Sequence, residues 1–352
     1  MRSRKTPFIG LASFVLFAFC LMGGLASSLW AASFEDERVA KLVEGAKKEG
    51  NIAWYTIMSV PESSVMAKKF ETKYPFVKIE ILRNNATLLF DRVMSEASAK
   101  VFKADVISTQ GLTSHVMKQK GLFQKYMSPQ SASYPEGAKD PDGYGTAVYL
   151  NTKVIGYNTK LVAPKDVPGS FQDLLDPKWK GGKISVDTDN YEWFGNMLNI
   201  LGRAKGLELM KRISLQQPQI RTGQTLRTTL LAAGEFSLAA PVNADGVERF
   251  KSQAAPIEWV AVEPVITLKH MASVSAHAPH PNASKLFIDF MLSKEGQDII
   301  RSVGRIPARP DIEPIAVKLT RGVKLTYSDH SIADNYTDIR REYDDIFKWK
   351  KF

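Results

Sequence analysis

The sequence predicts an α/β fold of two lobes, each a mostly parallel sheet flanked by helices, joined by two hinge strands. Helical and strand patterns alternate along nearly the whole chain, which is the arrangement that yields parallel sheets covered by helices. Two β-rich stretches, near 146–157 and 262–275, bracket a second run of alternating elements and read as the crossings of a hinge. Beyond an apolar N-terminal segment roughly 320 residues remain, enough to bury the cores of two lobes without covalent staples.

Taken in order, residues 37–48 place Val39, Leu42, Val43 and Ala46 on one helical face, with Gly50 as the stop. Asn51–Ile57 reads as a strand, and Pro61 opens a helix through Phe70 toward Tyr74. Phe76–Leu82 is a second strand with a helix over Ala86–Ala99; Asp105–Ser108 is a third, followed by a helix from Leu112. Residues 126–145, rich in Pro, Gly, Ser and Tyr, form a surface excursion before the first crossing, Gly145–Asn158. The second lobe holds strands at Lys183–Val186, Phe236–Ala240 and Ile257–Val262, and helices at Tyr191–Gly202, Thr225–Ala233 and Asp245–Gln253. After the β-rich Val265–Ser275 come helices at Asn282–Leu292 and Glu295–Val303, then an amphipathic tail helix over Ile332–Phe347. Lobe 1 is thus expected at 33–148 plus 266–305, and lobe 2 at 149–265 plus 306–352.

The start of the chain has the parts of a secretory leader: basic Arg2, Arg4 and Lys5, an uncharged apolar run from Phe8, then small residues from Ala26 to Ala32. Residues 1–32 are read as this leader; an uncleaved membrane anchor is the alternative. The single cysteine, Cys20, lies inside it behind Phe19, where a lipid-anchor site would want a small residue. The mature chain then has no disulfide and no thiol chemistry, and its net charge falls from +10 by the three basic residues lost. Acids accompany the remaining bases, as in Arg340-Arg341-Glu342, so no basic stripe predicts a nucleic-acid partner. A mildly basic surface fits an anionic ligand.

In open α/β sheets ligands bind beyond the carboxyl ends of the strands. The residues there are Thr56 and Ser59 after the first strand, Asn85 after the second, and Thr109 and Gln110 after the third. The second lobe supplies Asp189, Tyr191 and Glu192, then Asn243, and Tyr149 stands in the first crossing. Hydroxyls and amides at helix starts, beside free helix N–H groups, make a cradle for an anion or polar molecule. Each could also be an ordinary N-cap, with Ser59 and Asp189 as the plainest cases. Tyr191-Glu192-Trp193-Phe194 could present two aromatics and a carboxylate to a ligand, with Phe194 in the core. No G-x-S-x-G, H-E-x-x-H or Cys/His cluster occurs, so the chain is expected to bind rather than catalyse, with no cofactor and no metal. His277 and His280, beside Pro279 and Pro281, read as loop residues.

Longer stretches carry a resemblance: Val154-Ile-Gly-Tyr-Asn-Thr159, Ser170-Phe-Gln-Asp-Leu-Leu-Asp-Pro-Lys-Trp-Lys-Gly181, and the run from His280 to Gly296. With Trp54-Tyr-Thr56 and Phe70-Glu-Thr-Lys-Tyr-Pro75, the chain resembles the periplasmic ferric-iron and thiamine-type solute-binding proteins of bacterial ABC importers. The resemblance implies a periplasmic-binding-protein-like fold that closes on a small ligand, a monomer, and an ABC permease with its ATPase as partners. Ferric members carry a pair of adjacent tyrosines after a second-lobe strand; this chain has Ala239-Ala-Pro-Val-Asn-Ala-Asp245 there. Asn243 suits an organic or oxyanion ligand better, and iron held by Tyr149, Tyr191, Glu192 and a bound anion is the alternative on the same scaffold. A hydrolase, a ligand-sensing module for a membrane receptor and a tethered structural protein remain as rival readings.

Overall fold

The structure is a computed structural model that describes residues 35–347. The expected leader over residues 1–32 lies outside them. A helix over residues 35–49 (α1) ends at Gly50, whose φ of +71° turns the chain into the first strand. Strand β1 (Asn51–Thr56), helix α2 (Val60–Lys73), strand β2 (Lys78–Arg83), helix α3 (Ala86–Ser98), strand β3 (Val106–Gln110) and helix α4 (Gly111–Gln119) follow as three β-α units. The first crossing is one strand, β4 (Thr146–Asn158). Beyond it lie β5 (Ile184–Asp187), α5 (Tyr191–Leu201), α6 (Arg203–Ser214), β6 (Gln219–Arg221), α7 (Gln224–Ala233), β7 (Leu238–Asn243), α8 (Ala244–Lys251) and β8 (Ile257–Val260). The second crossing is β9 (Ile266–Val274), followed by α9 (Pro281–Leu292), α10 (Lys294–Ser302), β10 (Ile306–Pro307), β11 (Thr326–Tyr327) and α11 (Tyr336–Phe347).

The strands run in the order β2-β1-β3-β9-β4-β7-β5-β6. Pairing is parallel among β1, β2 and β3 and among β5, β6 and β7, but β9 runs antiparallel to both β3 and β4. β4 serves both sheets: its first half pairs with β9 up to Thr152, and from Lys153 it pairs with β7 and then β8. In the tail, β10 pairs with the first half of β4 and β11 with β9, while α11 packs on α5 and α6.

Aromatic side chains fix the layers. Under the first sheet, Trp54 packs edge-on to Phe287 (5.1 Å between ring centres), which meets Phe70 at 5.0 Å. Trp54 is fully buried, and its indole N–H donates to Ser108 Oγ at 2.9 Å, so its one polar group is satisfied. Burial of each such ring contributes roughly 2–3 kcal/mol. In the second lobe Tyr343 of α11 meets Tyr191 and Phe194, both at 5.3 Å, and its hydroxyl donates to the Asp187 carbonyl.

Two departures from the sequence pattern have plain causes. Helix α6 begins at Arg203 with charged and small residues, and its buried stripe, Leu209, Met210 and Ile213, appears only in its second half. β7 continues through Pro241 to Asn243, because the proline needs no ladder hydrogen bond of its own where it sits. The stretch 126–145 contains two short 3-10 turns, Pro129–Ser133 and Glu136–Ala138.

Candidate functional site

The carboxyl ends of strands from both sheets open on one cavity of about 290 Å³ between the lobes. Ser59, Arg83, Asn85 and Gln110 line it from the first sheet, Asp187, Asp189 and Asn243 from the second, and Tyr149 from the hinge. Apart from Tyr149, which lies within β4, these residues meet because each stands at or just past the carboxyl end of a strand, where helix starts turn outward.

The back of the cavity comes from the crossings. Tyr149, Asn151 and Lys153 sit at alternate positions of β4 and so share one face. Tyr149 stacks on His270 of β9 at 4.0 Å, and the Arg305 guanidinium lies over the Tyr149 ring, 4.9 Å from its centre. Arg305 donates to Glu62 at 2.8 Å, to Asp245 at 3.0 Å and to Asn151 Oδ1 at 3.3 Å. That last bond orients the Asn151 amide, so its Nδ2 donates to His270 Nε2 at 2.7 Å. The His270 proton therefore sits on Nδ1, which is buried and has no partner among the described residues. Burial, with Arg305 and Lys153 nearby, holds this imidazole well below its usual pKa, hence neutral.

Lys153 is the buried cation of the cleft. Only 2% of it is exposed, and its ammonium has one acceptor among the described residues, Asn190 Oδ1 at 3.2 Å. Burial pulls its pKa down to about 8 despite the opposing pull of Asp187. Across from it, Asp187 receives Gln224 Nε2 at 2.7 Å and the Gly223 N–H at 3.2 Å, which fixes the turn into α7. Gln224 Oε1 in turn accepts the Asn243 N–H at 3.3 Å. The first N–H groups of α7, at Gln224, Thr225 and Leu226, border the cavity at the positive end of a helix dipole. Asn243 Oδ1 is buried without a donor among the described residues. The cavity thus offers a buried ammonium, Arg83, an imidazole N–H and a helix N-terminus to negative charge, and one carbonyl to a donor.

Asp189 does not cap α5; Asn190 occupies that position. Its carboxylate accepts the Thr87 hydroxyl at 2.5 Å, a contact from the second lobe to the first. Burial raises its pKa to about 7, partly offset by the Thr87 bond. A carboxyl with a raised folded pKa binds extra protons in the native state. Its contribution is complete below the unfolded value and is lost as pH rises through about 7. Asp189→Asn should therefore match the wild type in urea unfolding near pH 4 and exceed it at pH 8 by on the order of 1–4 kcal/mol. Parallel pH profiles of the two proteins would remove Asp189 from that role.

Four expected residues lie elsewhere. Thr56 is fully buried, and its hydroxyl accepts the Met58 N–H at 3.1 Å in a local turn. Thr109 points to the other side of β3 from Gln110 and pairs with Thr113 at 2.9 Å. Tyr191 turns away from the cleft toward α11, where its hydroxyl donates to Asp344 at 3.0 Å. Glu192 is buried against the first lobe, accepting from the Leu112 N–H at 3.2 Å and from Ser328 Oγ at 2.6 Å. Tyr149 is therefore not brought together with Tyr191 and Glu192, and the oxygen set considered for iron does not assemble. Lys153, His270 and Arg305 are the additions the sequence reading lacked.

A two-lobed α/β molecule with hinge strands and a polar cavity between the lobes is a ligand-trapping binding protein. A bacterial extracellular solute-binding protein family model matches residues 103–326, and the chain belongs to that family. A Salmonella typhimurium (strain LT2) periplasmic protein provisionally named for 2-aminoethylphosphonate binding is 21% identical over 322 residues, 86% of this chain and 88% of that one. Among solved structures, the periplasmic binding protein AfuA from Actinobacillus pleuropneumoniae, with exogenous fructose-6-phosphate bound, superposes with a TM-score of 0.77 at 24% identity, covering 86% of this chain and 99% of that one. Iron-bound HitA from Pseudomonas aeruginosa gives 0.71 at 20% identity, covering 83% and 99%. No helix among the described residues is long and apolar enough to cross a membrane.

Proposed function

We propose that this chain is the exported solute-binding component of an ABC importer, working as a monomer in the periplasm. It captures a small organic anion carrying at least one hydroxyl or amino donor, and presents it to a permease driven by its ATPase. The observation that carries the ligand class is Lys153: a buried ammonium with a single neutral acceptor, aimed at a cavity where negative charge would complete it. The helix start at Gln224 and the His270 Nδ1–H add donors of the same polarity, while Asn243 Oδ1 calls for a donor on the ligand. The phosphorylated sugar bound to AfuA and the phosphonate in the Salmonella protein's name agree with this chemistry. Because both lobes contribute to the cavity, a ligand that touches both favours the closed arrangement over the open one.

The test is a thermal-shift and calorimetric series on the mature protein, with sugar phosphates, aminophosphonates, organic acids, thiamine and ferric citrate in separate samples. An organic anion at about 100 times its Kd should add roughly 2.7 kcal/mol to the folded state. A response to ferric salts alone, or to neutral sugars alone, would overturn the anion assignment.

A further inference from the structure

Behind the hinge lies a second cavity, of about 250 Å³, on the opposite side of β9 from the cleft. His270 faces the cleft, so strand alternation sends its neighbours Lys269, Met271 and Ser273 the other way, and these line the second cavity. Its other walls are the first turns of α4, the loop around Asp140, and the segment Ser328–Ser331 that connects β11 to α11.

The charges there leave one ammonium, that of Lys269, without a direct ion pair, with Glu192, Asp329 and Asp140 acting on it from further off. Lys118 pairs with Asp140 at 2.7 Å and Asp142 at 2.6 Å, and Lys139 with Glu136 at 2.6 Å. The acids are equally engaged: Asp329 accepts from the Ser331 N–H and hydroxyl, and Glu192 from Ser328 while facing His330 Nε2 at 3.4 Å. Lys269 is 91% buried by its 9% exposure, and its ammonium has no acceptor among the described residues. Two imidazoles, His115 and His330, stand beside it with ring centres 6.2 Å apart. A buried lysine without an acceptor among the described residues, the His115 imidazole and the Ser114 hydroxyl form a set that negative oxygen would satisfy.

We propose that this cavity is a second ligand site, distinct from the cleft, for a small multivalent oxyanion of the size of phosphate or citrate. Lys269 supplies the charge, and His115 donates to the oxyanion once protonated. Since burial and the adjacent His330 and Lys118 hold the His115 imidazole below its usual pKa, binding takes up protons and strengthens as pH falls. The groups facing His115 and His330 are Lys118, Asp140, Glu192, Lys269, Asp329 and Asp334. The site also bears on closure. The Ser328–Ser331 segment is held by Glu192 and Asn196 of the second lobe, with the Asp329 N–H donating to Asn196 at 2.7 Å, while Lys269 belongs to a strand of the first sheet.

Histidine-selective NMR of the whole mature protein tests this, with inorganic phosphate and citrate as probes. The expected result is a saturable shift of the His115 and His330 resonances that weakens roughly tenfold or more in Lys269→Gln. The cleft imidazole of His270 separates the two sites, and His115→Ala, at a half-buried position of α4 on the cavity wall, gives an independent variant, read at His330, if Lys269→Gln melts early. Shifts confined to His270, a response that rises without saturating, or an unchanged response in both variants would overturn the second site. None of these outcomes depends on which solute the cleft takes.

Discussion

Arg305→Leu should lower the unfolding free energy by about 3–5 kcal/mol, seen as a melting temperature roughly 6–20 °C below wild type. The reason is what remains when the guanidinium goes. Glu62 and Asp245 are buried carboxylates that come from opposite lobes, and Arg305 is the bridge between them, at 2.8 and 3.0 Å. Arg249 reaches both, at 3.5 and 2.9 Å, but it is more exposed and stands to one side. Without Arg305 two buried negative charges face each other, and Tyr149 loses the cation stacked on it. The exposed pair Arg321–Glu313 is the control: Arg321→Leu should change stability by less than about 1 kcal/mol. Equal effects at the two positions would mean that Arg305 does not hold the two buried carboxylates together.

Lys153→Met should act in the opposite sense on stability while removing function. Methionine keeps the volume and drops a charge that burial disfavours, so the ligand-free protein should be as stable as wild type or more so. Affinity for the anionic ligand should fall by about 2–5 kcal/mol, roughly 30-fold or more in Kd. The pH dependence has a defined sign. With the folded pKa held near 8 and the unfolded value at 10.5, the wild type gains stability as pH rises between them. The advantage of Lys153→Met therefore shrinks over that window, and wild-type affinity for the anion declines above about pH 8. A variant that binds normally would place the anion elsewhere in the cleft; one that unfolds would make Lys153 a structural residue.

The alternating elements were legible because each buries one regular face, and the strand-end rule brought Ser59, Asn85, Gln110, Asp189 and Asn243 to one cavity. It misplaced Thr56 and Thr109 because nearness to a strand end does not say which face a residue takes. Tyr191 and Glu192 were misplaced for a different reason: α11, remote in sequence, lies against the start of α5 and draws them away. Lys153 and His270 belong to no local motif. A signal was present all the same, since Lys153 interrupts Ala147-Val-Tyr-Leu and Val154-Ile, and Lys269-His270 interrupts Ile266-Thr-Leu and Met271-Ala. A charged residue inside a strand buried on both faces needs a partner or a ligand. Arg305 follows a helix in a turn, where nothing in the adjacent sequence marks a residue that will tie two lobes together.

The placing of β9 beside β3 governs the order in which the chain can fold. Strand β3 ends at Gln110, and the neighbour that covers its free edge does not begin until Ile266. The first three β-α units therefore emerge with an exposed sheet edge, and the whole second lobe intervenes before that edge is sealed. Contacts so distant in sequence make folding slow, because the loop must close before the pairing is gained. The first lobe therefore cannot finish folding until the chain from Ile266 onward is available to it.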